Sequence, residues 1–261
     1  MTVGGVSALG LGIADVTSVI MSLSDEDWSQ PSACVGWSVR DVVAHLGSEF
    51  KEEVEPSVHA TQLPMEQSMA LLVEARRSWT VAAIRDEYLR YSDRALETLA
   101  NQQTEPAASE PITIADIGTY PQHLIANAYA FDHLCHLRSD LLRPRGPLTR
   151  SVPPLDSARL GPAIEWMLAE IPRVDAGLAG HLAAPIGLVL VGPGGGTWRL
   201  AKSELTIVVQ AELRGDEVAS VSSRADDFVT WATTRRPWRE CCDLSGDAPA
   251  ATAFLDALRL I

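Results

Sequence analysis

Asp132 and His136 stand four residues apart in a stretch with helical patterning, so their side chains fall on one face, one turn apart. That spacing lets a single helix offer a carboxylate oxygen and an imidazole nitrogen to one metal ion. A third donor has to come from elsewhere in the chain. His45 is the best placed, seven residues past a helix start at Ser38 and flanked by Val42, Val43, Ala44 and Leu46. Two nitrogens and one carboxylate oxygen suit zinc, and three protein donors leave a fourth position for chemistry. His133 also lies near His136, three residues before it, and by spacing alone either Asp132 or His133 can face inward. Cys135 is a softer donor, but its direction on a helix lies about 100° from that of His136.

The elements that must position these residues are helices. Ile13 to Leu23 carries apolar residues at helical spacing and ends in the acidic run Ser24-Asp25-Glu26-Asp27. A turn from Pro31 to Gly36 precedes Trp37. Ser38, with Asp41 three residues on, has the form of a capping box opening a helix to about Val54. Met65 to Leu99 is a long periodic stretch with one break near Trp79, and Gln102 to Pro111 is a polar loop. Ile114 to Leu142 is predicted to be a further helical region, stopped by Arg143-Pro144-Arg145-Gly146-Pro147. Four principal helices make a bundle, where metal sites are built from inward-facing side chains of different helices.

The second half has a different texture. Val152 to Leu155 reads as a linker and Leu160 to Leu178 contains a helix. Strands are predicted at Ile186 to Val191, Thr197 to Ala201 and Leu205 to Glu212, and helices at Ala225 to Thr233 and Pro249 to Leu258. The expected organisation is α+β, a metal-binding bundle over residues 1–150 followed by a smaller domain over 151–261.

Bulk composition excludes several partners. Acidic residues outnumber Lys and Arg by 34 to 21, the net charge is −13, and no basic run exceeds two residues. Nucleic-acid binders concentrate cations on one face, so no nucleic-acid partner is expected. No stretch reaches the roughly 20 apolar residues of a membrane span, and Met1 to Ile20 lacks the basic start of a signal peptide. Cys34, Cys135, Cys241 and Cys242 include no CxxC pair, which points to a reducing cytoplasm.

The stretch Cys34-Val35-Gly36-Trp37-Ser38-Val39-Arg40-Asp41-Val42-Val43-Ala44-His45-Leu46 resembles the GW(S/T)xxDxxxHL signature of the mycothiol-dependent maleylpyruvate isomerase family, within the DinB-like metalloenzymes. In that family the motif's histidine binds zinc and a later helix adds Glu-x-x-x-His. Here Phe131-Asp132-His133-Leu134-Cys135-His136 takes that place, with Asp132 for the usual Glu and a carboxylate arm one methylene shorter. An acidic residue commonly follows the family's histidine by about three positions; Ser139 stands there and Asp140 comes one later. Gly192 to Trp198, Ala225 to Arg236 and Ser245-Gly246-Asp247 are similar to the family's C-terminal domain, a small α/β module with a sterol-carrier-like fold. The resemblance spans nearly the whole chain.

It implies zinc or another divalent metal on His45, Asp132 and His136, with mycothiol as thiol co-substrate. The implied reaction is cis-trans isomerisation of a small conjugated acid by thiolate addition. The alternatives are a mycothiol S-transferase and a non-catalytic metal-binding or regulatory module. Arg76, in Glu74-Ala75-Arg76-Arg77, resembles the place where the isomerase sets an arginine toward its anionic substrate. The expected partners are the thiol and a small-molecule substrate, with the protein a monomer or homodimer.

Other signals carry no chemistry. Gly192 to Gly196 lacks the Lys-Ser/Thr and following helix of a phosphate loop and reads as a hairpin turn. Cys241-Cys242 has no further donors nearby in sequence. Cys34 has no activating base that the sequence identifies, and His59, His123 and His181 have no assignable partners.

Overall fold

A computed structural model describes residues 3–57, 63–173, 175 and 177–260. The chain divides into two compact units, Met1–Pro154 and Leu155–Ile261.

The first unit is helical. Its elements are α1 (Val3–Ile20), α2 (Asp25–Ser29), α3 (Val39–Val54), α4 (Met65–Glu74), α5 (Val81–Asn101), the strands β1 (Pro111–Ile114) and β2 (Gly118–Pro121), and α6 (Ile125–Cys135), which runs into a π-helical turn, His136–Leu141. Capping sets the starts. The Ser38 hydroxyl accepts the Asp41 amide while Asp41 accepts the Ser38 amide at 2.9 Å, the reciprocal box that fixes where α3 begins. Ser24 and Asp27 do the same for α2, and Thr80 caps α5. The four long helices share one core: α3 gives Val42, Val43, Leu46 and Phe50, α1 gives Leu9, Val16 and Ile20, α5 gives Ile84, Tyr88 and Leu99, and α6 gives Ile125 and Ala130.

Two expectations shift. The first helix begins at Val3 rather than near Ile13, despite its glycines. Propensity loses here to packing: α1 lies along α6, where Gly12 meets His133 so closely that a Cβ would sit 3.2 Å from the His133 Cβ. The last helix begins at Ile125, not Ile114. Residues 111–121 form a β-hairpin pairing Ile112 with Tyr120 and Thr113 with Thr119. Ile112-Thr113-Ile114 is β-branched and alternates in exposure, and Gly118 takes a positive φ of 127° that no helix accommodates.

The second unit packs α7 (Ser157–Glu170), α8 (Ala225–Ala232) and α9 (Ala248–Ala257) with a five-stranded sheet. The strands are β3 (Ile186–Val191), β4 (Gly196–Ser203), β5 (Thr206–Ala211), β6 (Ala219–Arg224) and β7 (Cys242–Gly246), in the order β5-β4-β3-β6-β7. β3 and β4 form an antiparallel hairpin through Gly192 to Gly195, as the glycine run predicts, and β3 pairs with β6 in parallel. β6 and β7 escape the hydrophobic pattern because Ala-Ser-Val-Ser-Ser-Arg and Cys-Asp-Leu-Ser-Gly present few apolar residues. This is the α+β arrangement expected, with a helical N-terminal unit. Among the described residues no helix is long and apolar enough to cross a membrane, and none of the four cysteines is in a disulfide.

Glu170 gives the second unit a pH dependence. It ends α7 fully buried, and burial pushes its carboxyl from 4.5 up to about 8. The folded form therefore keeps a proton that the unfolded chain loses above pH 4.5. Stability is expected to fall as pH rises from about 5 to 8, by a few kcal/mol in all. Thermal melts of Glu170→Gln should lose that slope and exceed the wild type at pH 8.

Candidate metal centre

The Ser38 cap sets the phase of α3 so that His45, two turns in, faces the bundle interior, 5% exposed. α6 contributes Asp132 near its end, and His136 opens the π turn. Their donor atoms all lie within 4.8 Å of one another. The Asp132 Oδ1 is 3.2 Å from the His136 Nε2 and 3.7 Å from the His45 Nε2. Donors at 2.0–2.1 Å around one tetrahedral ion stand about 3.4 Å apart, so the spacing fits a shared cation. An orphaned atom points the same way: the buried Asp132 Oδ2 has no hydrogen-bond partner. Burial and the donor set of two imidazoles with a carboxylate together fit zinc or a similar divalent ion.

Electrostatics favour the ligating states of His45 and Asp132. Burial lowers the His45 pKa, with Asp132 only partly offsetting it, so this imidazole is held neutral. Burial works against charge on Asp132 as well, but His136 and His45 outweigh it and hold the carboxyl well below its usual range. His136 moves the other way. Burial lowers its pKa, while Asp132, Asp140 and Cys34 together raise it well above the ordinary histidine value. A proton therefore occupies His136 at neutral pH until a cation displaces it.

The far side of His136 is equally built. Its Nδ1 lies 3.0 Å from the Asp140 Oδ2 and 3.6 Å from the Cys34 Sγ, and the Asp140 Oδ1 accepts from the Arg145 Nη1 at 3.0 Å. Cys34, His136 and Asp140 form a second group of mutually close donors. With its Nδ1–H given to Asp140, His136 presents Nε2 toward Asp132 and His45, the pattern by which a carboxylate fixes a ligand's tautomer. π turns often occur at such sites, and this one places Asp140 beneath the ring it supports. Asp140→Ala is expected to weaken zinc binding by about 10- to 100-fold without moving the far-ultraviolet circular dichroism. Chelator competition measures it.

The tertiary structure sets Asp132, and not His133, beside His45 and His136. His133 is fully buried on a different face, its ring 4.8 Å from Phe50 and 6.0 Å from Tyr88, with Nδ1 donating to the Tyr129 carbonyl at 3.0 Å. Burial lowers its pKa to about 4, and it serves as a core residue. Arg76, expected to face a substrate carboxylate, is buried inside the bundle instead. Its Nε and Nη2 donate to the two Glu87 oxygens, the latter at 2.9 Å, and its Nη1 donates to the Leu72 carbonyl. The reason is local: Glu87 on α5 is itself buried and requires a counter-charge. His123 bonds the Ala108 carbonyl through Nδ1, and His59 lies outside the described residues. Glu49 and Asp140 belong to no motif, and the one signal for each is its place four residues beyond a candidate histidine, on the same helical face. Trp37 stands with its ring 5.2 Å from that of His45.

Residues 9–138 match the family model described as the mycothiol maleylpyruvate isomerase N-terminal domain. Two crystal structures resemble the whole chain: the mycothiol-dependent maleylpyruvate isomerase and a histidine-to-alanine mutant of it. Each has 16% sequence identity, a TM-score of 0.57 and coverage of 94% of both chains. At that identity the likeness concerns the fold. No curated protein matches the chain.

Proposed function

The chain belongs to the mycothiol maleylpyruvate isomerase family through its N-terminal unit, and from that membership we propose a metal-dependent isomerase that uses mycothiol as co-substrate. His45, Asp132 and His136 hold one divalent ion, zinc first among candidates. The observation that carries this reading is the convergence of the three side chains, from α3, α6 and the π turn, at the spacing a common ion requires. A zinc ion bound there supplies Lewis acidity and keeps a coordinated thiol deprotonated, the nucleophilic form.

The chain's own residues prepare that site. Burial keeps His45 neutral and ready to ligate. Asp140, anchored by Arg145, holds His136 by its Nδ1. Trp37 covers one side of the His45 ring. The substrate class is a small acid with a cis double bond conjugated to a carbonyl. Sulfur adds to one alkene carbon, the bond becomes single and rotates, and elimination returns the thiol with a trans alkene. Thiol is not consumed. Four cysteines outside any disulfide fit a reducing compartment, and we place the enzyme in the cytoplasm.

Product analysis tests the proposal. Zinc-loaded protein with mycothiol and a cis-configured conjugated dicarboxylate should give the trans isomer without net loss of thiol. A stable thioether would instead assign an S-transferase. A wild-type protein that takes up no metal would leave a non-catalytic module.

A further inference from the structure

We propose that Glu49 is a fourth protein donor to the same ion, an inference that rests on the metal-binding reading above. Glu49 lies one helical turn beyond His45 on α3, on the same face. Its Oε2 is 3.8 Å from the His45 Nε2, and on that same nitrogen the Asp132 Oδ1 stands at 3.7 Å. Both distances are too long for hydrogen bonds and close to the separation of donors that share an ion. Two carboxylates thus flank one imidazole nitrogen.

Neither carboxylate is fully satisfied. The Glu49 Oε2 and the Asp132 Oδ2 are both buried from solvent without a hydrogen-bond partner. The neighbouring cations and amides serve other acids: Gln102 and the Tyr129 hydroxyl bond Glu53, and Arg94 with Tyr91 bonds Glu55. The Tyr129 hydroxyl reaches only the backbone carbonyl of Glu49. A buried carboxylate oxygen without a hydrogen-bond partner is costly, and a divalent cation beside the His45 Nε2 would compensate both carboxylates. With neutral histidines, Glu49 and Asp132 balance a 2+ charge. Glu49 would hold the fourth position until the thiol co-substrate displaces it.

The experiment measures zinc affinity by chelator competition, and melting with and without zinc, in the full-length wild type, Glu49→Gln and the control Glu53→Gln. Gln keeps the arm length and the donor that a protonated Glu49 offers Asp132, so the metal-free variant should melt within about 2 °C of wild type. Its zinc affinity should fall at least about tenfold, and the zinc-induced rise in midpoint should shrink. A merely structural glutamate would shift the metal-free midpoint and leave zinc affinity unchanged. Glu53→Gln should bind zinc as the wild type does. If Glu49→Gln fails to fold, Glu49→Asp in the cobalt-loaded protein replaces it, with an altered visible spectrum expected from the shorter arm. Zinc affinity in Glu49→Gln within about twofold of wild type, or an unchanged Glu49→Asp spectrum, overturns the assignment of Glu49 alone. A wild type that binds no zinc overturns the metal reading itself, so the two failures are distinguishable.

Discussion

Replacing His45 or His136 by alanine is expected to remove the metal: about one zinc per chain in the wild type, and close to none in either variant after a desalting step. Structural zinc binding is worth about 10–16 kcal/mol over four ligands, so each donor contributes about 3 kcal/mol, roughly a hundredfold in affinity. The two histidines should differ in how the loss depends on pH. His136 holds a proton well above the ordinary histidine range, because Asp132, Asp140 and Cys34 outweigh the effect of burial. Cation binding must expel that proton, so apparent wild-type affinity should rise with pH through neutrality. His45 is already neutral there, since burial lowers its pKa, and it adds no such slope. Elemental analysis and chelator competition between pH 6 and 8 check both statements. A flat pH profile in a zinc-binding wild type would remove the proton from His136.

Phe50→Ala is expected to cost about 3–5 kcal/mol, the range for truncating a buried aromatic. Phe50 is fully buried, and its ring packs on Tyr88 at 5.7 Å, Tyr129 at 5.8 Å and His133 at 4.8 Å. It therefore ties α3 to both α5 and α6. For a domain of this size each kcal/mol moves the midpoint by about 2–4 °C, giving a fall of about 6–20 °C. Zinc should return part of that loss by mass action, about 2.7 kcal/mol at a hundredfold excess over Kd, because Phe50 itself carries no donor. Calorimetry with and without zinc is the measurement. A fall of less than about 3 °C would mean that the bundle closes over the cavity.

Much of the candidate site was readable in one dimension. The i, i+4 relation of Asp132 to His136, and the cap at Ser38 that phases α3 under His45, are local facts, and a helix turns local spacing into a common face. The β-branched segments that became β3, β4 and β5 are local in the same sense. Other features had no local signal. β6 is serine-rich and found its place only by pairing with β3. The hairpin at 111–121 carried apolar residues at a period compatible with either structure, and the turn at Gly118 decided it.

What the sequence by itself determined was therefore a short list of candidate donors and the helices that carry them, since both follow from spacing and capping within about four residues. Only the tertiary structure decided how each helix is rolled about its own axis. Asp132 and His133 differ by about 100° of helical rotation, too little for periodicity to separate them. The choice falls to the aromatic wall of Phe50 and Tyr88, which takes the His133 ring and turns Asp132 toward His45 and His136. The same packing gives Arg76 to Glu87 and brings Glu49 and Asp140 to the two sides of the centre. These are contacts between chain segments or across helical turns, and their energy depends on burial and counter-charge that exist only once the bundle has closed.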